Sequence, residues 1–535
     1  MDASVMMKHS WHSRSLPIIA AALIIASGCH GREHKPVAGT LRFNIMTEPP
    51  SLDWTIATDQ ASQRVIVNIM AGLTRFDEHL HPVPDLAASW DVLDGGRRYV
   101  FHLRPDARWS DGAPVTADQF VYAWRRLVAP DTAAEYAYFI YMVKNAEAIN
   151  SGEEKDLAAL GVRALDPLTL QVELNRPVVF FPMITTFWAT FPLRRDVVEK
   201  FGDKWTEPEN IVTCGPFRLK EWRHEYRITL ERNPDYFGPR PGLDRVIFYM
   251  VNELSTALSL YQTGELDATE PMPPPSIPSY EKSPEYVNFP YFAVYYYGFN
   301  VTRPPVDNPL VRAALAHAID RSQIPSILKG HQIPTATIIP VGMEGANPAL
   351  GRGFDLPRAR ELLAQAGYPG GKGLPAITIG YNTEEAHKMI AEFVQQQWSE
   401  NLGIKVELSN MEWKVYLKEL QYDPPHAWRL GWILDYPDPD AIMTVFLSNS
   451  GNNHTRWKSA TYDRLVLDAS QEPDPKKRRE LYDRAQQLLC YDDTVVAPLY
   501  SYTINMLLRP WVKNFPENGL DILDLRSTRI EEPGL

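Results

Sequence analysis

Ala376-Ile377-Thr378-Ile379-Gly380-Tyr381 alternates apolar and polar residues, as a half-buried strand does. Glu384 to Leu402 then carries apolar residues at helical spacing and ends at Gly403, and Ile404-Lys405-Val406-Glu407-Leu408 alternates again. Strand, helix and strand in this order form a βαβ unit, which places the chain among mixed α/β proteins. Working outward, helices are expected over Gln60–Leu73, Val115–Leu127 with Thr116 as N-cap, Pro309–Ile319, Pro357–Ala366 ended by Gly367, and Lys476–Leu489. Strands are expected at Leu41–Ile45 and Tyr99–Leu103. No internal repeat and no long linker interrupts this pattern, so several domains share crossovers.

The 535 residues allow two to four domains of ordinary size. A hydrophobic content of 44% and a charged content of 22% exclude a disordered chain. The formal charge is −12, from 54 Lys and Arg against 66 Asp and Glu, and phosphate backbones call for the opposite balance. The strongest basic run, Lys476-Lys477-Arg478-Arg479, reads as a solvated helix face, so no nucleic-acid partner is expected. Proline is abundant, 45 residues against 30 Gly, with a dense patch at Pro271-Met272-Pro273-Pro274-Pro275.

Lys8 and Arg14 precede an apolar run from Leu16 to Ala26, followed by Ala26-Ser27-Gly28-Cys29. A basic start, a short apolar core and small residues before a cut describe a secretory signal, residues 1–28. The run is too short to span a bilayer. Small residues ending in Cys resemble a bacterial lipobox, which makes Cys29 the expected lipidation site and residues 29–39 a tether. Cys214 and Cys490 then remain, and the sequence leaves open whether they pair. With no CxxC and no Cys/His cluster, no zinc site is expected.

Catalytic signatures are missing. There is no HExxH, GxSxG or GxxxxGK[ST], and Gly370-Gly371-Lys372-Gly373 has Gly where a magnesium-binding hydroxyl belongs. Asp438 and Asp440 could act as an acid–base pair, but one such pair among 66 acids does not make an enzyme. Neither a cofactor nor catalysis is expected.

A series of segments carries a resemblance. It runs Pro84-Asp85-Leu86-Ala87-Ala88-Ser89-Trp90, Tyr99 to Arg104, Trp109-Ser110-Asp111-Gly112, Glu231-Arg232-Asn233-Pro234-Asp235-Tyr236-Phe237, Gly264-Glu265-Leu266-Asp267, Val311 to Leu315 with Ala318-Ile319-Asp320-Arg321, and Ala366-Gly367-Tyr368. In this order, over nearly the whole mature chain, they resemble the family 5 solute-binding proteins of ABC importers. Phe201 to Trp205, Tyr295-Tyr296-Tyr297, Glu412-Trp413-Lys414, Gly431 to Tyr436 and Leu447 to Asn453 are most similar to the periplasmic oligopeptide-binding proteins.

The resemblance implies a type II periplasmic-binding-protein fold, two lobes with a hinge plus an extra domain. Lobe I would comprise 40–70, 195–292 and 503–535, the extra domain 71–194, and lobe II 293–502. It further implies an extracytoplasmic, monomeric receptor that closes on an oligopeptide and delivers it to ABC permease subunits, with the membrane reached only through the lipid on Cys29.

By the same resemblance, Asp435 would receive the peptide ammonium, for which a carboxylate is the fitting acceptor. Arg429 would receive the peptide carboxylate through its fork of donors, and His387 would assist with longer ligands. Trp413, Trp432, Tyr136, Tyr291 and Tyr296 would line the chamber. Thr58, Asp59 and Gln60 would pair with the ligand backbone as an added strand. Departures from the family are Cys214 in place of Asn before Gly-Pro, Pro424-Pro425 on the approach to Arg429, and the Pro271–Pro275 patch where chamber residues would lie.

Alternatives remain within the binding class: a receptor for murein tripeptide, dipeptide or another solute. Outside it stand a secreted peptide hydrolase, which would turn peptide over, and a peptide-holding chaperone, which would suppress aggregation without binding short peptides.

Overall fold

Ile377–Asn382, Glu385–Leu402 and Val406–Met411 form the expected strand, helix and strand in the computed structural model of the protein, whose described residues are 35–531. The two strands pair in parallel, from Ile377 opposite Val406 to Asn382 opposite Met411. Ile390, Val394 and Trp398, four residues apart, lie on one helical face and are buried. The helix stops because Gly403 adopts φ 69°, a left-handed conformation that glycine takes without penalty. The signal segment and Cys29 lie outside the described residues.

This pair forms one edge of an eleven-stranded mixed sheet. In spatial order its strands are Val406–Met411, Ile377–Asn382, Ala427–Ile433, Tyr286–Phe299, Val496–Leu508, Ala268–Thr269, Thr40–Asn44, Arg245–Tyr249, Arg227–Arg232 and Phe217–Arg223, with Ile333–Pro334 joined to Val496–Leu508. Two strands are far longer than the usual five or six residues: Tyr286–Phe299 has 14 and Val496–Leu508 has 13. They pair antiparallel, and the register shifts between Pro290 and Val294. On one side of the shift, Met506 packs into the core that holds Leu41, Phe43 and Phe248. On the other, Tyr295 and Tyr297 pack into a core with Val311, Leu315 and Trp398. The two strands therefore run continuously between separately packed cores.

A second, antiparallel sheet has the order Ala87–Leu93, Arg98–Leu103, Thr169–Glu173, Val162–Asp166. Helix Ala117–Val128 buries Phe120, Trp124 and Leu127 beside it. That helix starts where Gln119 Oε1 accepts the backbone N–H of Thr116 at 2.9 Å, half of a capping box.

Three local readings take their final form here. Cys214 and Cys490 are both buried and unbonded, in different cores, which settles the pairing question for this structure. The basic run Lys476 to Arg479 is not wholly solvated: Arg478 turns inward and pairs bidentately with Asp438 at 2.7 Å to each oxygen. The proline patch forms a short 3-10 turn at Pro274–Ser276, with Met272 buried among Tyr261, Leu266 and Ile277.

Candidate functional site

A cleft of about 810 Å³ is walled by residues from widely separated parts of the chain. Six residues singled out in the sequence line it together: Thr58, Asp59, Gln60, Tyr136, Tyr291 and Asp435.

Thr58, Asp59 and Gln60 stand at the start of helix Gln60–Ile69. Asp59 is the N-cap, itself extended at φ −111° and ψ 159°, and accepts the backbone N–H of Ser62 at 2.9 Å. The side-chain amide of Gln60 donates to Asp521. Beneath them Arg64 bridges two carboxylates, Glu270 at 2.6 Å and Asp521 at 2.7 Å. Burial pushes the Glu270 carboxyl up to about 7, although Arg64 opposes this. Tyr291 lies beside this group, and burial raises its hydroxyl well above the ordinary tyrosine value.

Tyr136 belongs to the short turn Glu135–Ile140 and meets Phe187 and Trp188 edge-on, at 4.8 and 5.6 Å. Asp435 follows strand Ala427–Ile433, whose last residue, Ile433, also faces the cleft, with Leu434. Its carboxylate accepts one hydrogen bond, from the Tyr138 hydroxyl to Oδ2 at 3.4 Å. Burial pushes Asp435 up to about 6, against the lowering effect of Tyr138. Among the described residues no cation pairs with it.

The remaining singled-out residues do not line this cleft. Arg429 is buried on the same strand as Ile433, with Nη1 donating to Asn382 Oδ1 at 2.7 Å and its guanidinium 4.9 Å from the Tyr295 ring centre. Its Nε has no partner. His387 stands near the start of helix Glu385–Leu402 and pairs with Glu384 at 2.7 Å, while its buried Nδ1 is unpartnered; its ring lies 5.6 Å from Tyr295. Trp413 is 43% exposed and leans on Tyr416, whose hydroxyl donates to the Arg429 carbonyl at 2.6 Å. Trp432 has a buried, unpartnered Nε1. Arg429, His387 and Tyr295 thus form a second polar group, rich in unused hydrogen-bonding atoms.

Tyr296 is different. It is wholly buried against Trp428 and Phe446, away from both groups. The Pro271–Pro275 patch does not line the cleft either. Conversely, Tyr138, Phe187, Trp188 and Tyr295 were not singled out. The spacing Tyr136-Ala137-Tyr138, the pair Phe187-Trp188 and the run Tyr295-Tyr296-Tyr297 are the signals that could have pointed to them.

A carboxylate without a cation, beside aromatic walls, can receive an ammonium group. Among the described residues no group of three His, Cys, Asp or Glu stands together as a metal site.

The chain is 36% identical to a periplasmic oligopeptide-binding protein of Salmonella typhimurium, covering 91% of each chain. It is 35% identical to an oligopeptide-binding protein of Bacillus subtilis, covering 93% of this chain and 95% of that one. Among solved structures, the unliganded open form of the periplasmic murein tripeptide-binding protein MppA matches with a TM-score of 0.83 at 32% identity, over 93% of this chain and 98% of that one. The fold is the type II periplasmic-binding-protein fold with more than one domain. Residues 81–454 match the model of the bacterial extracellular solute-binding proteins, family 5, and the chain belongs to that family.

Proposed function

We propose that this chain is the receptor of an ABC peptide importer and captures oligopeptides between two lobes. The observation that carries this reading is Asp435, a cleft-lining carboxylate that no cation neutralises among the described residues. A peptide ammonium is the group that would complete it, and the names of the oligopeptide-binding relatives agree. Arg429, with an unpartnered Nε, would take the peptide carboxylate, and His387 beside it would help with longer ligands. Thr58 to Gln60 would pair with the ligand backbone, leaving side chains to tolerant walls that include Trp413, Trp432, Tyr136 and Tyr291.

Closure would occur between lobe I (40–70, 195–292, 503–535) with its extra domain (71–194) and lobe II (293–502). The proposed boundaries fall within strands Tyr286–Phe299 and Val496–Leu508, near the register shift. The closed form would dock on permease subunits, and the protein would be a monomer, held at the membrane by a lipid on Cys29 after signal removal. It would perform no catalysis.

Native mass spectrometry of the purified protein, followed by incubation with the peptides it releases, tests this reading. The expected result is retained short peptides that are recovered intact. Peptide-free folded protein that rebinds none of a peptide mixture, or cleavage of bound peptide, would overturn it.

A further inference from the structure

Two consecutive residues of the turn Glu135–Ile140 meet two consecutive residues that follow strand Ala427–Ile433. Tyr138 donates to Asp435, and Phe139 meets Tyr436 edge-on at 5.8 Å. Phe139 is itself fixed by stacking on Phe187, with centroids 3.9 Å apart. The turn is therefore rigidly seated, yet Tyr138 stays 49% exposed and contributes little to the core. Its hydroxyl is the one donor that reaches Asp435 among the described residues, and it engages Oδ2 alone.

We propose that Tyr138 is a positioning residue: its hydroxyl holds Oδ2 of Asp435 and leaves Oδ1 as the acceptor for the ligand ammonium. This rests on the peptide-receptor reading above. A carboxylate with one oxygen tethered loses less rotational freedom on binding, so the cation meets a preorganised acceptor. At 3.4 Å the contact is longer than the usual ~2.7 Å for a hydroxyl on oxygen, so the tether is a weak one.

The same hydrogen bond favours the ionised carboxylate, whereas burial disfavours it. The titratable groups facing Asp435 are Tyr138 and Tyr136, with Glu135 and Asp59 behind Tyr136. Among the described residues no cation faces it to mask the effect of removing the hydroxyl.

The test is calorimetry with Ala-Ala-Ala between pH 4.5 and 8 on the full mature protein, as wild type, Tyr138→Phe, Tyr138→Ala and Asp435→Asn. For Tyr138→Phe we expect affinity about three- to tenfold weaker at pH 7.5. The acid limb of binding should also move to higher pH, by on the order of half a unit, with the melting temperature unchanged. Wild-type affinity and pH profile in Tyr138→Phe, alongside lost binding in Asp435→Asn, would overturn the proposal and leave the receptor reading intact. So would a defect confined to Tyr138→Ala, which would trace the effect to the ring. Full binding by Asp435→Asn would instead remove ammonium capture itself, and Tyr138's role with it.

Discussion

Phe180 and Tyr436 stack with ring centroids 5.4 Å apart and planes 14° from parallel. Tyr436 follows Asp435 directly, so the stack fixes the turn that presents the cleft carboxylate. From the other side the Tyr436 hydroxyl donates to Asp440 at 2.9 Å, and the Arg478 guanidinium lies 5.7 Å from the Phe180 ring while pairing with Asp438. Phe180→Leu keeps an apolar side chain but loses the stack. It should cost about 0.5–1.5 kcal/mol in urea unfolding and weaken peptide binding several-fold. Unchanged peptide affinity in that variant would show that Asp435 does not depend on this support.

Asp435 itself is held at the expense of stability. Its folded value near 6 lies above the ordinary carboxylate value, with burial as the main cause. The native state therefore binds the extra proton between about pH 4 and 6, and above pH 6 the ionised group is a net cost. Asp435→Asn should raise stability by about 1–2 kcal/mol at pH 8 and by nothing at pH 4, since Asn carries no charge to desolvate. A stability difference that is flat across this range would contradict the assignment.

Tyr296 should behave as core and not as a ligand contact. Its hydroxyl is fully buried without a partner. Tyr296→Phe removes an unsatisfied polar atom and should leave stability unchanged or raise it by about 1 kcal/mol, with peptide affinity unaltered. Loss of affinity in a stable Tyr296→Phe protein would return the residue to the site.

Arg64 faces two buried carboxylates, so removing it leaves both uncompensated. Arg64→Met should cost about 3–5 kcal/mol at pH 8. Because burial already raises Glu270, the unfolded state releases protons that the native state keeps as pH rises toward 7. The deficit should therefore shrink at pH 5, where the Glu270 carboxyl can be neutral. Equal deficits in chemical denaturation at pH 5 and 8 would contradict this.

Local structure was legible because it depends on neighbours in sequence. The alternation before and after helix Glu385–Leu402, the cap at Thr116 and the stop at Gly403 each act within one turn or one strand. The site was only half legible. Tyr291 and Tyr296 share one strand, but five residues apart they point to opposite faces unless a bulge intervenes. The register shifts twice here, between Pro290 and Val294 and between Tyr295 and Tyr296, where no periodic pattern announces it. Tyr295, which stacks beneath Arg429, was hidden between two tyrosines of the same strand. The Arg64–Glu270–Asp521 group joins residues 206 and 457 positions apart, and neither separation leaves a motif. Resemblance supplied Asp435 and Arg429, whereas the partners that tune them come from tertiary packing.

The measurement that bears most directly on the central claim is calorimetry on ligand-stripped, refolded residues 30–535. It compares a free tripeptide with its N-acetylated and C-amidated forms, each against wild type, Asp435→Asn and Arg429→Met. The account predicts tight binding of the free tripeptide, loss on acetylation, weakening on amidation, and a matching loss in each variant for the terminus it receives. Folded protein that binds no tripeptide, or that binds the acetylated and free forms equally well, would contradict it.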